Sequence, residues 1–125
     1  MKMWAVRGAT TITADDPGLI SMATKELLSE LIKGNQIEIE QIVSIIFTVT
    51  PDIKSEFPAV GARELGLQEI PLLCAQEISK LEALPYCIRV LVQFYTEFSK
   101  AELRPVYLHE AVKLRPDLFE LKSNL

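Results

Sequence analysis

The sequence predicts an α/β (α+β) fold, one sheet with helices packed on one of its faces, and three features carry that prediction. Residues 17–33 show a helical apolar stripe, IVSIIFTV at 42–49 is apolar on both parities, and CIRVLVQF at 87–94 alternates with a period of two. Taken in order, the elements run β-α-β-α-β-β, with further short pieces towards the C-terminus.

The first strand is expected over Met3 to Val6, ending at Arg7-Gly8, with ATTIT following as extended chain or loop. DDPG then signals a helix start, because Asp16 can cap and Pro17 suits the first helical position. Ile20, Ala23, Leu27, Leu28 and Leu31 form its apolar stripe, and Gly34-Asn35 is the stop. The β-branched run 42–49 reads as a strand covered on both faces, closed by TPD. FPAVGARELG reads as a second, shorter helix closed by Gly66, and PLLCAQE at 71–77 as another strand. Strand 87–95 follows, Pro105 to Leu108 is expected to add a short strand, and LRPDL a short helix or turn. FELKSNL carries no partner pattern, so 118–125 is expected to be a mobile tail on a single domain spanning 1–125. A sheet apolar on both faces, with only two good helices, leaves surface uncovered. Self-association is the expected cover.

Composition narrows the function classes. A formal net charge of −4 with no block of like charge argues against a nucleic-acid partner, which demands clustered Lys and Arg. MKMWAVRGATTI has no apolar run suited to a signal peptide, and no stretch approaches a membrane span. Cys74 and Cys87 with the lone His109 make neither a disulfide framework nor a metal site. A reduced, cytoplasmic protein is the default. Gly-rich phosphate loops, Ser-His-Asp order and metal-ligand spacing are all missing, which disfavours a nucleophilic or metal-dependent hydrolase.

The arginines are the informative residues. Ile88, Val90, Val92 and Phe94 form the regular apolar row of strand 87–95, which puts Arg89 on the opposite face. Its charge is permanent, so within a strand it needs an anionic partner, either a protein carboxylate or a ligand. Arg7 closes the expected first strand, and Pro116 biases Arg115 towards extended backbone. Arginines at strand ends suit a small, multiply charged anion, because the planar guanidinium meets carboxylates with two donors. The plainer alternative pairs each arginine with one of the 17 acidic residues. Glu77 is open to three readings: a surface carboxylate, a counter-charge to Arg89, or an acceptor for a ligand hydroxyl. Cys74 reads by default as a small buried hydrophobe, and His109 as structural.

VRGATT, TPD, FPA, ARELG, PLLCAQE, CIRVLV, VYL and LRPDL occur in this order. As an ordered set spanning about residues 3 to 118, they resemble the monofunctional trimeric α/β chorismate mutases, the class unrelated to the all-helical ones. The resemblance implies a single mixed sheet, a homotrimer whose sheets form a barrel-like core, and active sites between subunits. It implies the [3,3] rearrangement of chorismate to prephenate, with neither cofactor nor metal. By the same resemblance Arg89 meets the ether oxygen and a carboxylate, Arg7 binds a carboxylate with Tyr107 beside it, and Glu77 accepts the ring hydroxyl near Cys74. Phe57, Ala59, Leu73 and Leu114 would be walls, and Arg63 and Arg115 would flank the entrance. Some members carry a Lys where this chain has Val60, so a contact from that side chain is absent here. For Cys74 and Glu77 to serve one cleft, the third strand must end or bulge before Glu77, since residues three apart on a regular strand face opposite ways. A non-catalytic trimer that senses a small anion would share the arginines but leave Glu77 unexplained.

Overall fold

The computed structural model describes residues 1–115. Five strands form one mixed sheet: β1 (Lys2–Thr11), β2 (Ile42–Val49), β3 (Leu72–Gln76), β4 (Cys87–Thr96) and β5 (Val106–Tyr107). Their spatial order is β3-β2-β4-β1-β5. β4 is antiparallel to both β1 and β2, while β3 runs parallel to β2 and β5 parallel to β1. Two α-helices, α1 (Pro17–Gly34) and α2 (Pro58–Glu64), complete the frame.

α1 forms where the sequence signals it. The Asp16 carboxylate accepts the Leu19 N–H at 3.0 Å, and Ile20, Leu27, Leu28 and Leu31 are buried. Asn35 caps its end and is itself buried. Its amide donates to the carbonyls of Leu31 and Arg104, and its oxygen accepts the Arg104 N–H at 2.7 Å. The helix end is thereby tied to the chain entering β5.

β1 differs from its expected extent. It runs on through Thr11, so Arg7 lies in mid-strand rather than at its end. The ladder explains this, because Thr10 and Thr11 pair with Ile88 and Cys87 at the start of β4. Gly8 marks a close approach rather than a stop. A Cβ there would come within 2.8 Å of Leu31 Cδ1 and 3.2 Å of the Val106 carbonyl oxygen.

The helices cover one face only. Val6, Phe47, Val90, Val92 and Phe94 point towards α1 and α2 in the main buried cluster. In β2 the register shifts between Ile42 and Ser44. This irregularity lets Ile42 and Ile45 both face the core, while Ile46 lies on the face without helices, and together these place apolar residues on both parities. Helices cover one face of β2, as expected, and within one chain the other face is open. Ser44, Ile46 and Thr48 belong with Leu91, Arg89 and Arg7 on the face without helices. On that open face Met3, Leu73 and Tyr95 remain 47, 60 and 46% exposed. β5 forms as expected. A 3-10 segment at His109–Leu114 precedes most of LRPDL, and residues 116–125, with the expected tail, lie outside the described residues.

α1 and α2 meet closely at Gly61, where an added Cβ would sit 2.9 Å from the Ser21 carbonyl oxygen and 3.0 Å from Thr24 Cβ. Because the first neighbour is backbone, Gly61→Ala should destabilise the fold by about 1–3 kcal/mol, the usual range for overpacking. Urea unfolding of the two proteins checks this.

Candidate functional site

The open face carries a cavity of about 320 Å³. Its floor is built from alternate residues of the three central strands: Arg7 and Ala9 on β1, Arg89 and Leu91 on β4, Ile46 and Thr48 on β2. Tyr107, from the end of β5, Leu114, from the 3-10 segment beyond it, and Arg115, just after that segment, form one wall. Sequence reasoning singled out Arg7, Arg89, Tyr107, Leu114 and Arg115. It passed over Ala9, Ile46, Thr48 and Leu91, although their strand parity matches that of the arginines and could have found them.

Arg89 is paired. Its Nε donates to Glu77 Oε1 at 2.8 Å, and the Glu77 side chain is only 19% exposed. The strand ends at Gln76, as expected, but Cys74 packs against the helix-side core, so that ending does not bring it to the face of Glu77; the Glu77 N–H still donates to the Val49 carbonyl at 2.9 Å. Glu77 keeps the parity of Leu73 and Ala75, which share the face of Thr48 and Arg89, and so reaches across β2 to Arg89. Its other oxygen, Oε2, is buried and has no hydrogen-bond partner among the described residues. A buried acceptor left in that state favours a donor arriving with a ligand. Arg7, in the same cavity, makes no ion pair with another described residue. Two fixed cations and an orphan acceptor around one cavity suit a compact ligand bearing both carboxylates and a hydroxyl.

The remaining candidates gather elsewhere. Cys74 packs against the core beside α2, where burial raises its thiol above the ordinary value of 9.0 while the Ala59 N–H and the Arg63 charge act the other way. Phe57 precedes α2 and is 65% exposed. Its approach is stapled by Asp15, whose Oδ1 accepts the N–H groups of Lys54 and Ser55, both at 3.0 Å, and the Ser55 hydroxyl. Those bonds, that from Lys54 foremost, hold the Asp15 carboxyl below its usual value. Phe57, Ala59, Arg63, Leu73 and Cys74 thus share the β3 edge, while Arg7 and Tyr107 lie towards the β5 edge. One chain does not bring the two groups together.

His109 is structural in its contacts. Its Nε2 lies 2.9 Å from Glu26 Oε1 on α1, which anchors the segment between Tyr107 and Leu114. Among the described residues no group of His, Cys, Asp and Glu is arranged to hold a metal ion, and no helix is long and apolar enough to cross a membrane.

Comparison with known proteins points to one family. The family model for chorismate mutase type I matches residues 3–118. The chain is 46% identical over 114 residues to chorismate mutase AroH of Thermus thermophilus, covering 90% of this chain and 93% of that protein. It is 40% identical over 124 residues to chorismate mutase AroH of Bacillus subtilis, covering 98% of each. A solved chorismate mutase from Clostridium thermocellum superposes with a TM-score of 0.85 at 41% identity, covering 86% of this chain and 96% of that one.

The two thiols should differ in reactivity. Burial pushes Cys87 up to about 11, whereas Cys74 is half-buried. At pH 8 an alkylating reagent should label Cys74 first and reach Cys87 only in denaturant, since the thiolate is the reacting form. Peptide mass mapping with and without urea reads the outcome.

Proposed function

Because this chain belongs to the chorismate mutase type I family and is a chorismate mutase, converting chorismate to prephenate, we propose that its chemistry is carried by Arg89, Glu77 and Arg7 on the open face. The reaction is a unimolecular [3,3] rearrangement in which one C–O bond breaks as one C–C bond forms. It needs neither nucleophile nor proton transfer. The protein has two tasks: to hold the flexible dicarboxylate in its chair-like form, and to stabilise the charge that separates as the C–O bond stretches.

The observation that carries the assignment is the Arg89–Glu77 pair. Glu77 takes the Arg89 Nε, which leaves the terminal amino groups to meet the ether oxygen and a carboxylate. Negative charge growing on that oxygen meets a preoriented cation. Oε2 of Glu77, lacking a partner, accepts the ring hydroxyl and favours the developing positive charge on the ring. Arg7 binds a carboxylate, with Tyr107 hydrogen-bonded to it and Leu114 as wall. Arg115 steers or caps the dianion from the same side.

The site is completed by a second chain. We infer a homotrimer in which the β3 edge of one subunit meets the open face of the next, bringing Phe57, Ala59, Leu73 and Cys74 to the cavity and Arg63 to its entrance. The exposed Met3, Leu73 and Tyr95 on the open face, and the separation of the two residue groups within one chain, support this assembly. Such a trimer acts in the cytoplasm, in the route to phenylalanine and tyrosine.

The decisive experiment follows chorismate absorbance with Arg89→Ala beside the parent. Losing one preorganised donor typically costs about 10² to 10³ in rate, so kcat should fall at least that far. Arg89→Lys should recover little, because a point charge does not replace a fork. A variant that keeps most of its kcat would sink the assignment. The shared site is tested by co-refolding Arg89→Ala with Arg63→Glu, which sets a carboxylate at the entrance. Native mass should correspond to three chains, and mixing should restore activity, because some interfaces then join two intact halves. No recovery would mean that each chain holds a complete site.

A further inference from the structure

We propose that Asp52 is a positioning residue for the reaction, acting through the segment that joins the end of β2 to the start of β4; this rests on the reading of Arg89 and Glu77 given above. Glu77 and Arg89 do not sit on neighbouring strands, because β2 lies between β3 and β4. Their relative position is therefore set by what is fastened to the C-terminal end of β2. Glu77 is fastened there by its N–H to the Val49 carbonyl, and Arg89 pairs with Thr48 in the ladder.

Asp52 closes this junction with both oxygens. Oδ1 accepts the Thr50 hydroxyl at 2.5 Å, and Oδ2 accepts the Tyr86 N–H at 2.9 Å. Thr50, buried to 6% exposure, in turn accepts the Cys87 N–H on its Oγ1 at 3.0 Å and donates its own N–H to the Cys87 carbonyl at 3.1 Å. The chain is thus pinned at Tyr86 and Cys87, just before Arg89. Tyr86 has φ of 49°, in the left-handed region that a bulky residue adopts only when its surroundings impose it. Its carbonyl also accepts the Ile12 N–H at 3.0 Å, so one strained residue joins the ends of β1, β2 and β4. Asp52, Glu77 and Arg89 line a second cavity of about 270 Å³ beside the pair, which leaves the turn room to relax if Asp52 lets go.

The carboxylate accepts from both donors at once. An amide could stand in by turning its NH2 group to Thr50 Oγ1, because a hydroxyl accepts as well as donates, so the informative substitution removes both oxygens. A displacement of about 1 Å in a catalytic group can cost on the order of 10²-fold in rate. The test is Asp52→Ala, with Thr50→Val as the second variant should the first not fold. Both are assayed for kcat and KM, and the ¹H–¹⁵N resonance of the Arg89 Nε–H is followed. We expect kcat to fall by about 10- to 100-fold, KM to change less than kcat, and the Arg89 resonance to move. A kcat within twofold of the parent, or a fall in kcat with an unmoved Arg89 resonance, overturns the proposal. Arg89→Ala in the same series separates the two readings. If that variant stays active, the role of Arg89 itself is wrong. If it fails while Asp52→Ala is unaffected, only the positioning role is wrong.

Discussion

The ion pair between Arg89 and Glu77 is the contact around which the site is organised. As a stabilising feature it is modest. The Arg89 side chain is 44% exposed, and pairs of that exposure contribute roughly 0–1 kcal/mol. Its consequence is orientational. With Nε engaged by a carboxylate that is itself held at the edge of the sheet, the guanidinium loses most of its freedom before any ligand arrives. Pre-paid orientation of this kind is what a unimolecular rearrangement can use, since it asks for shape and charge rather than for a reacting side chain.

The pair follows from strand parity. Leu73 and Ala75 share the face of Ile46 and Thr48, and Glu77, two residues on, keeps that direction, the one opposite to Cys74. The strand stops at Gln76, while the Glu77 backbone remains bonded to β2. The carboxylate therefore meets Arg89 across Thr48 by the ordinary alternation of the sheet.

One surface serves two ends. The sheet is sealed by helices on one face, and the other face carries apolar side chains beside arginines. Apolar exposure of this kind drives association, and the charged cavity lies within the same area. In the proposed trimer, assembly and catalysis would be coupled by geometry, because the residues near β3 that sequence motifs assign to the site lie away from the residues near β5 that share the assignment. Substitutions that weaken packing on this face would act on both.

Much of this was legible in the chain itself. The α1 stripe with its Asp16 cap and the alternation that set Arg89 opposite Ile88 and Val90 follow from local periodicity and steric rules, which depend only on neighbours in sequence. Other features were decided in three dimensions. Gly8 looked like a strand end but sits in mid-strand beneath Leu31, because the approach of a helix is invisible to sequence spacing. In the two-sided apolar pattern of β2, the inward direction of Ile42 came from a register shift against β4, a property of pairing rather than of either strand, while Ile46 lies on the open face. The same holds for the choice among partners for Arg89. Residue types limited it to a carboxylate or a ligand, but only the strand order β3-β2-β4 brought Glu77 within 2.8 Å. Local sequence determines which way a side chain faces, and long-range pairing determines what it meets.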